Sequence, residues 1–80
     1  MYQFNDGVYV SESILFRAIM TLKDGENLNF MTSYGEVITV IRVLQNLKYS
    51  TKNYYLFGSS IVYPFQVHNA LINLDKYAYL

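Results

Sequence analysis

An eighty-residue chain without a single cysteine has to hold itself together with one apolar core. No disulfide, thiolate zinc site or cysteine nucleophile is open to it. A core of this size leaves a thin stability margin, so most segments must contribute apolar surface. The composition supplies it, with 52% hydrophobic and 15% charged residues against roughly 25% charge in an ordinary domain. A disordered chain needs the reverse balance and is excluded. The apolar surplus over what so small a core hides points to a further buried surface, such as a subunit contact.

Punctuation along the chain sets the elements. Tyr2 and Phe4 alternate, Asn5-Asp6-Gly7 turns the chain, and Val8 and Val10 alternate again, predicting strands at about 1–4 and 8–10. Ser11 is an N-cap for a helix over 11–23, in which Ile14, Leu15, Ala18, Ile19 and Leu22 share a face. Phe16 and Met20 lie on its flank, Lys23 suits its C-terminal dipole, and Asp24-Gly25 ends it. Residues 27–32 read as a third strand. Ser33 and Glu36 have capping-box spacing, and Val37, Val40, Ile41, Leu44 and Leu47 then share a helical face. The β-branched run within 37–43 favours strand instead. The cap and the length favour a helix over 36–47, which is the expectation adopted.

Residues 49–53 read as a loop. Tyr54–Phe57 and Ser60–Tyr63 around Gly58-Ser59 form a second hairpin. Pro64 opens a last helix whose inward face is Val67, Ala70, Leu71 and Leu74. The apolar tail 76–80 extends that helix or turns into an edge strand. The order is ββαβαββα, a single α+β domain over 1–80 with two to three helices on an antiparallel or mixed sheet.

Candidates for chemistry are few. His68 is the one imidazole, and Asp75 stands two turns away on the same helix, too far to orient it. Neither a metal cluster nor a carboxylate pair has the required spacing. Asp6 and Asp24 precede glycines as turn residues and Glu36 is a cap, leaving Glu12, Glu26 and Asp75 without local tasks. Gly58-Ser59-Ser60 lacks the lysine and helix of a phosphate loop and is read as a turn. Arg17 and Arg42 each interrupt an apolar helix on its solvent side. The expected protein is therefore not an enzyme and uses no metal or cofactor.

The balance of six basic and six acidic residues, without runs, argues against a basic nucleic-acid stripe and against an acidic mimic of one. Nine tyrosines, each an apolar ring with one polar tip, favour a protein-binding surface. The best segment is Lys48, Tyr49, Lys52, Tyr54 and Tyr55, where rings anchor a partner and lysine stems pack beside them. Base stacking with phosphate contacts is the alternative use of the same residues.

Residues with AT-rich codons (Phe, Tyr, Met, Ile, Asn, Lys) outnumber those with GC-rich codons, as in low-GC bacteria and many viruses. These features together predict a small interaction module, in one concrete form a phage inhibitor of a host protein such as a defence enzyme. A structural homo-oligomer, with a homodimer as its simplest form, is the third reading. Small secreted domains are ordinarily stapled by disulfides, so the cytoplasm, of the host if viral, is the expected setting. The opening residues have no signal-peptide pattern, and apolar runs of a few residues predict no membrane span.

Overall fold

The structure, a computed structural model, describes the backbone of residues 1–77 and the side chains of residues 1–74. The first hairpin forms where the Asp-Gly turn predicts it. Strand β1 (Tyr2–Phe4) pairs antiparallel with β2 (Tyr9–Val10) in the register Tyr2 to Val10. Gly7 sits at φ +87°, a conformation that costs a residue with a Cβ but not glycine, and Asp6 Oδ1 accepts from the Val8 N–H at 3.1 Å.

Helix α1 (Glu12–Met20) starts at its expected cap, with Ser11 Oγ accepting from the Ile14 N–H. It stops three residues before the expected end. Thr21 caps it, its hydroxyl donating to the Ala18 carbonyl at 2.9 Å. Lys23 and Asp24-Gly25 instead form a turn held by Glu26, whose carboxylate accepts from the Lys23 N–H at 2.6 Å. Strand β3 (Asn27–Met31) follows.

Residues 36–47 do not form a helix. Val37–Asn46 is the ten-residue strand β4, paired with β3 from Met31–Val37 to Asn27–Ile41 and with β5 (Thr51–Phe57) along seven further residue pairs. The six β-branched residues between 37 and 43 lose less side-chain freedom in a strand, and pairing on both sides outweighs the coincident helical spacing. The expected capping box is a hairpin turn: Thr32, buried, accepts from the Glu36 N–H through Oγ1 at 3.1 Å. Tyr34 donates to Glu36 Oε2 at 2.9 Å, and this bond beside a carboxylate raises the phenol above its ordinary 10.0. Its stabilising effect holds at neutral pH and disappears as pH rises through the raised value.

Strand β5 begins at Thr51, so most of the expected loop 49–53 is strand and the turn is confined to Leu47–Ser50. Strand β6 (Ser60–Val62) returns through Gly58-Ser59, with Gly58 at φ +62°. Pro64–Gln66 forms a 3-10 turn into α2 (Val67–Tyr77), so the helix takes in the start of the tail. The remaining tail, 78–80, lies outside the described residues.

The observed order is ββαββββα, in an antiparallel six-stranded sheet ordered β2-β1-β3-β4-β5-β6. The α+β class therefore holds, with two helices among the described residues. Both helices lie on one sheet face, where Leu15, Ile19, Val67 and Leu71 meet Tyr2, Phe30, Val40 and Tyr55, all fully buried. The Tyr2 hydroxyl donates to the Leu71 carbonyl at 2.6 Å, joining the first strand to the last helix. Among the described residues no helix is long and apolar enough to cross a membrane.

Phe30 stands in the middle of this core, edge-on to Tyr2 with centroids 5.6 Å apart. Phe30→Ala is expected to lower the unfolding free energy by about 3–5 kcal/mol. Urea denaturation measures it, and a loss below about 1 kcal/mol would contradict the packing described.

Candidate functional site

The alternation of β5 divides the predicted binding segment. Tyr55 points under the helices and is fully buried. Its hydroxyl donates to Met20 Sδ at 3.5 Å and accepts from Arg42 Nη1, while the guanidinium lies 4.7 Å from its ring centroid. A residue so enclosed is no anchor for a partner. It serves Arg42, which belongs to β4 rather than to the solvent side of a helix and whose Nε is buried without a hydrogen-bond partner. The Met20 contact sets this pair beside the C-terminal turn of α1, where exposed carbonyl ends favour a cation.

Lys48 and Tyr49 occupy the β4–β5 turn. Tyr49 is 89% exposed, with the Lys48 ammonium 5.3 Å from its ring centroid. Lys52 and Tyr54 stand on the sheet face that the helices leave open, opposite Gln45 and Val43. The structure thus joins Lys52 and Tyr54 to a surface that the predicted helix over 36–47 had concealed.

That surface is apolar over most of its extent. Ile41, Leu56 and Ile61 form one cross-strand row beside the Val43–Tyr54 pair. Met31 and Val37 pair at the other end, and Tyr9 lies beyond them on β2. Tyr9, Val37 and Ile61 are 67%, 66% and 56% exposed. Ile41, Val43, Tyr54 and Leu56 are half-buried, since neighbours in a sheet cover one another's flanks. Polar residues interrupt the face: Gln3, Asn27 and Gln45 share it, and Thr39 Oγ1 donates to Asn29 Oδ1 at 2.5 Å. Among the described residues its one formal charge is Lys52. The signal that could have found this face is the β-branched run from Val37 to Val43, read at a period of two.

The other candidates fall elsewhere. His68 lies on α2 with Nδ1 3.2 Å from Glu12 Oε1 and its ring edge-on to Phe16. Glu12 Oε1 is buried and makes no hydrogen bond, so the imidazole is its close neighbour, a contact the sequence did not reveal. Ser13 lines the same shallow hollow of about 430 Å³, yet among the described residues it makes no hydrogen bond to the imidazole. A nucleophile and its base are therefore not assembled there. Gly58-Ser59-Ser60 is a hairpin turn on the wall of a groove of about 530 Å³ between β4 and α2. The charged residue among its described lining is Glu36, which repels phosphate. No group of three potential metal ligands occurs among the described residues. No known protein family, curated protein or solved structure matches the chain.

Two of the tyrosines should behave oppositely on substitution. Tyr55→Phe removes the acceptor for Arg42 and is expected to cost about 1–3 kcal/mol, because a buried donor is left unsatisfied. Tyr49→Ala should stay within about 0.5 kcal/mol of the parent. Paired thermal and urea denaturation of the two variants checks both values, and a reversed ranking would refute the placement.

Proposed function

We propose that the chain is a non-enzymatic protein-interaction module whose working surface is the open sheet face, with the Lys48–Tyr49 turn at its margin. One observation carries the reading. The central strands are apolar on both faces, as in Val37-Ile38-Thr39-Val40-Ile41, Tyr54-Tyr55-Leu56-Phe57 and Ile61-Val62. Strands written this way belong to sheets covered on both sides, whereas a sheet with one wet face alternates apolar and polar residues. Among the described residues the two helices cover one face, so a partner is the natural cover for the second.

Such a module works by burial and fit, and needs neither cofactor nor turnover. Tyr54, held rigidly by its strand, would give contact area at little entropic cost. The cytoplasm remains the proposed setting, consistent with the absence of cysteine. A phage-encoded inhibitor of a host protein such as a defence enzyme is a form that the small size and codon bias suit. The nucleic-acid alternative keeps Lys48, Tyr49, Lys52 and Tyr54 but loses Tyr55 to the core. It requires affinity to fall steeply with salt, whereas apolar docking responds weakly to it.

A photo-cross-linking amino acid at position 61 tests the face against a control at exposed position 69 on α2. In lysate of the native host, position 61 should give a discrete protein adduct and position 69 none. Equal yields at both positions, or no adduct at position 61, would sink the reading.

A further inference from the structure

We infer that the open sheet face docks against the same face of a second copy, making a symmetric dimer with helices outside and two stacked sheets between them. The inference rests on the reading that this face is a protein-binding surface, and it names the partner.

Three observations select a second copy. The first is area. The strands together hold thirty residues, each covering about 3.3 Å by 4.8 Å, which gives a footprint of about 480 Å² per copy. The pair would bury roughly 950 Å², close to the ~1,000 Å² of a specific interface and in the range of weak, reversible ones.

The second is charge. A self-complementary contact sets every group against its own kind, so a charged face repels itself. Among the described residues this face carries one formal charge, Lys52, at the end of the sheet nearest the β4–β5 turn. A two-fold axis crossing the strands at the Ile41–Leu56 pair sets the two Lys52 groups at opposite ends. The apolar rows then meet in the middle, with the sheets about 10 Å apart and rotated by about 30°, as in aligned sandwiches.

The third is the state of the edges. Strand β2 has two residues and β6 has three, with Pro64 two positions beyond its end. Edges this short resist edge-to-edge pairing. At the other end, β4 is capped where it outruns β3: Asp24 Oδ1 accepts from the Leu44 N–H at 2.9 Å. Self-association by extending the sheet is thus discouraged, while stacking is left open.

Sedimentation equilibrium on the purified full chain, from about 1 to 200 µM, tests this. The expected result is a monomer–dimer equilibrium between 9.4 kDa and twice that mass, little changed by salt. Ile61→Lys and Val37→Lys, at opposite margins of the face, should each weaken dimerisation at least tenfold. Both positions are largely exposed, so circular dichroism and the melting temperature should stay close to the parent's. A parent that remains monomeric at 200 µM overturns the inference, as does a dimer indifferent to both substitutions. A monomeric parent whose position 61 still cross-links a foreign protein would leave the interaction reading standing and remove the second copy alone.

Discussion

The structure depends on the two-sided pairing of Val37–Asn46. Strand β4 gives one edge to β3 and the other to β5, so the N-terminal hairpin and the C-terminal meander belong to one sheet through it. Its register also decides the faces. With Val40 opposite Leu28 and Phe57, the side chains of Ile38 and Val40 enter the core while Val37 and Ile41 leave it. A one-residue slip would exchange the two sets. Here the exchange would bring Thr39 into the core and turn Arg42 away from Tyr55. The pairing of Arg42 with the Tyr55 hydroxyl therefore helps hold the register as well as satisfying a cation.

Fixing the register leaves the sheet with two unequal tasks. Nine residues of α1 and eleven of α2 lie across one face, and Tyr2 ties that layer shut through the Leu71 carbonyl. The second face is then supplied with apolar side chains on β4, β5 and β6 but with asparagines on β3, where Asn27 and Asn29 alternate with Leu28 and Phe30. The apolar area is thus concentrated toward the C-terminal half of the sheet. The Thr39–Asn29 bond marks its inner boundary by satisfying two polar groups that any covering layer would desolvate. Covering that pair therefore costs less than covering two unbonded polar side chains.

Much of the fold was legible because several elements carry signals that no competing pattern imitates. Asp6-Gly7 between alternating residues, Ser11 before an apolar stripe, and Pro64 before Val67, Ala70, Leu71 and Leu74 each found the expected element. Residues 36–47 failed for a specific reason. Val37, Val40, Ile41, Leu44 and Leu47 satisfy a helical period, yet Ile38 and Val43 between them are apolar too, and the run is rich in β-branched residues. A window with apolar residues off the helical stripe fits either period, and tertiary pairing decides. That one error hid the open face, since a helix would have turned Ile41 and Val43 to different neighbours. At the binding segment, alternation required one of Tyr54 and Tyr55 to turn inward. Which one depended on the register with β4, a non-local fact.

The distribution of the tyrosines then changes what their number means. Tyr2 and Tyr55 are core residues whose hydroxyls are both engaged, one by a carbonyl and the other by a guanidinium and a thioether. They supply volume and a polar tip that reaches the edge of the apolar layer, a structural use of the ring. Tyr34 fastens a turn to Glu36, and Tyr63 stacks on Phe65 with centroids 6.4 Å apart. Among the described residues, what remains on the open side is Tyr9 and Tyr54, with Tyr49 at the turn. A count of nine therefore argues less for recognition than the aliphatic rows between these three. Ile41, Val43, Leu56 and Ile61 have no polar tip to keep them comfortable in water, and their alignment into one continuous surface follows from the strand pairing alone. The proposed cover therefore rests on these side chains more than on the number of tyrosines.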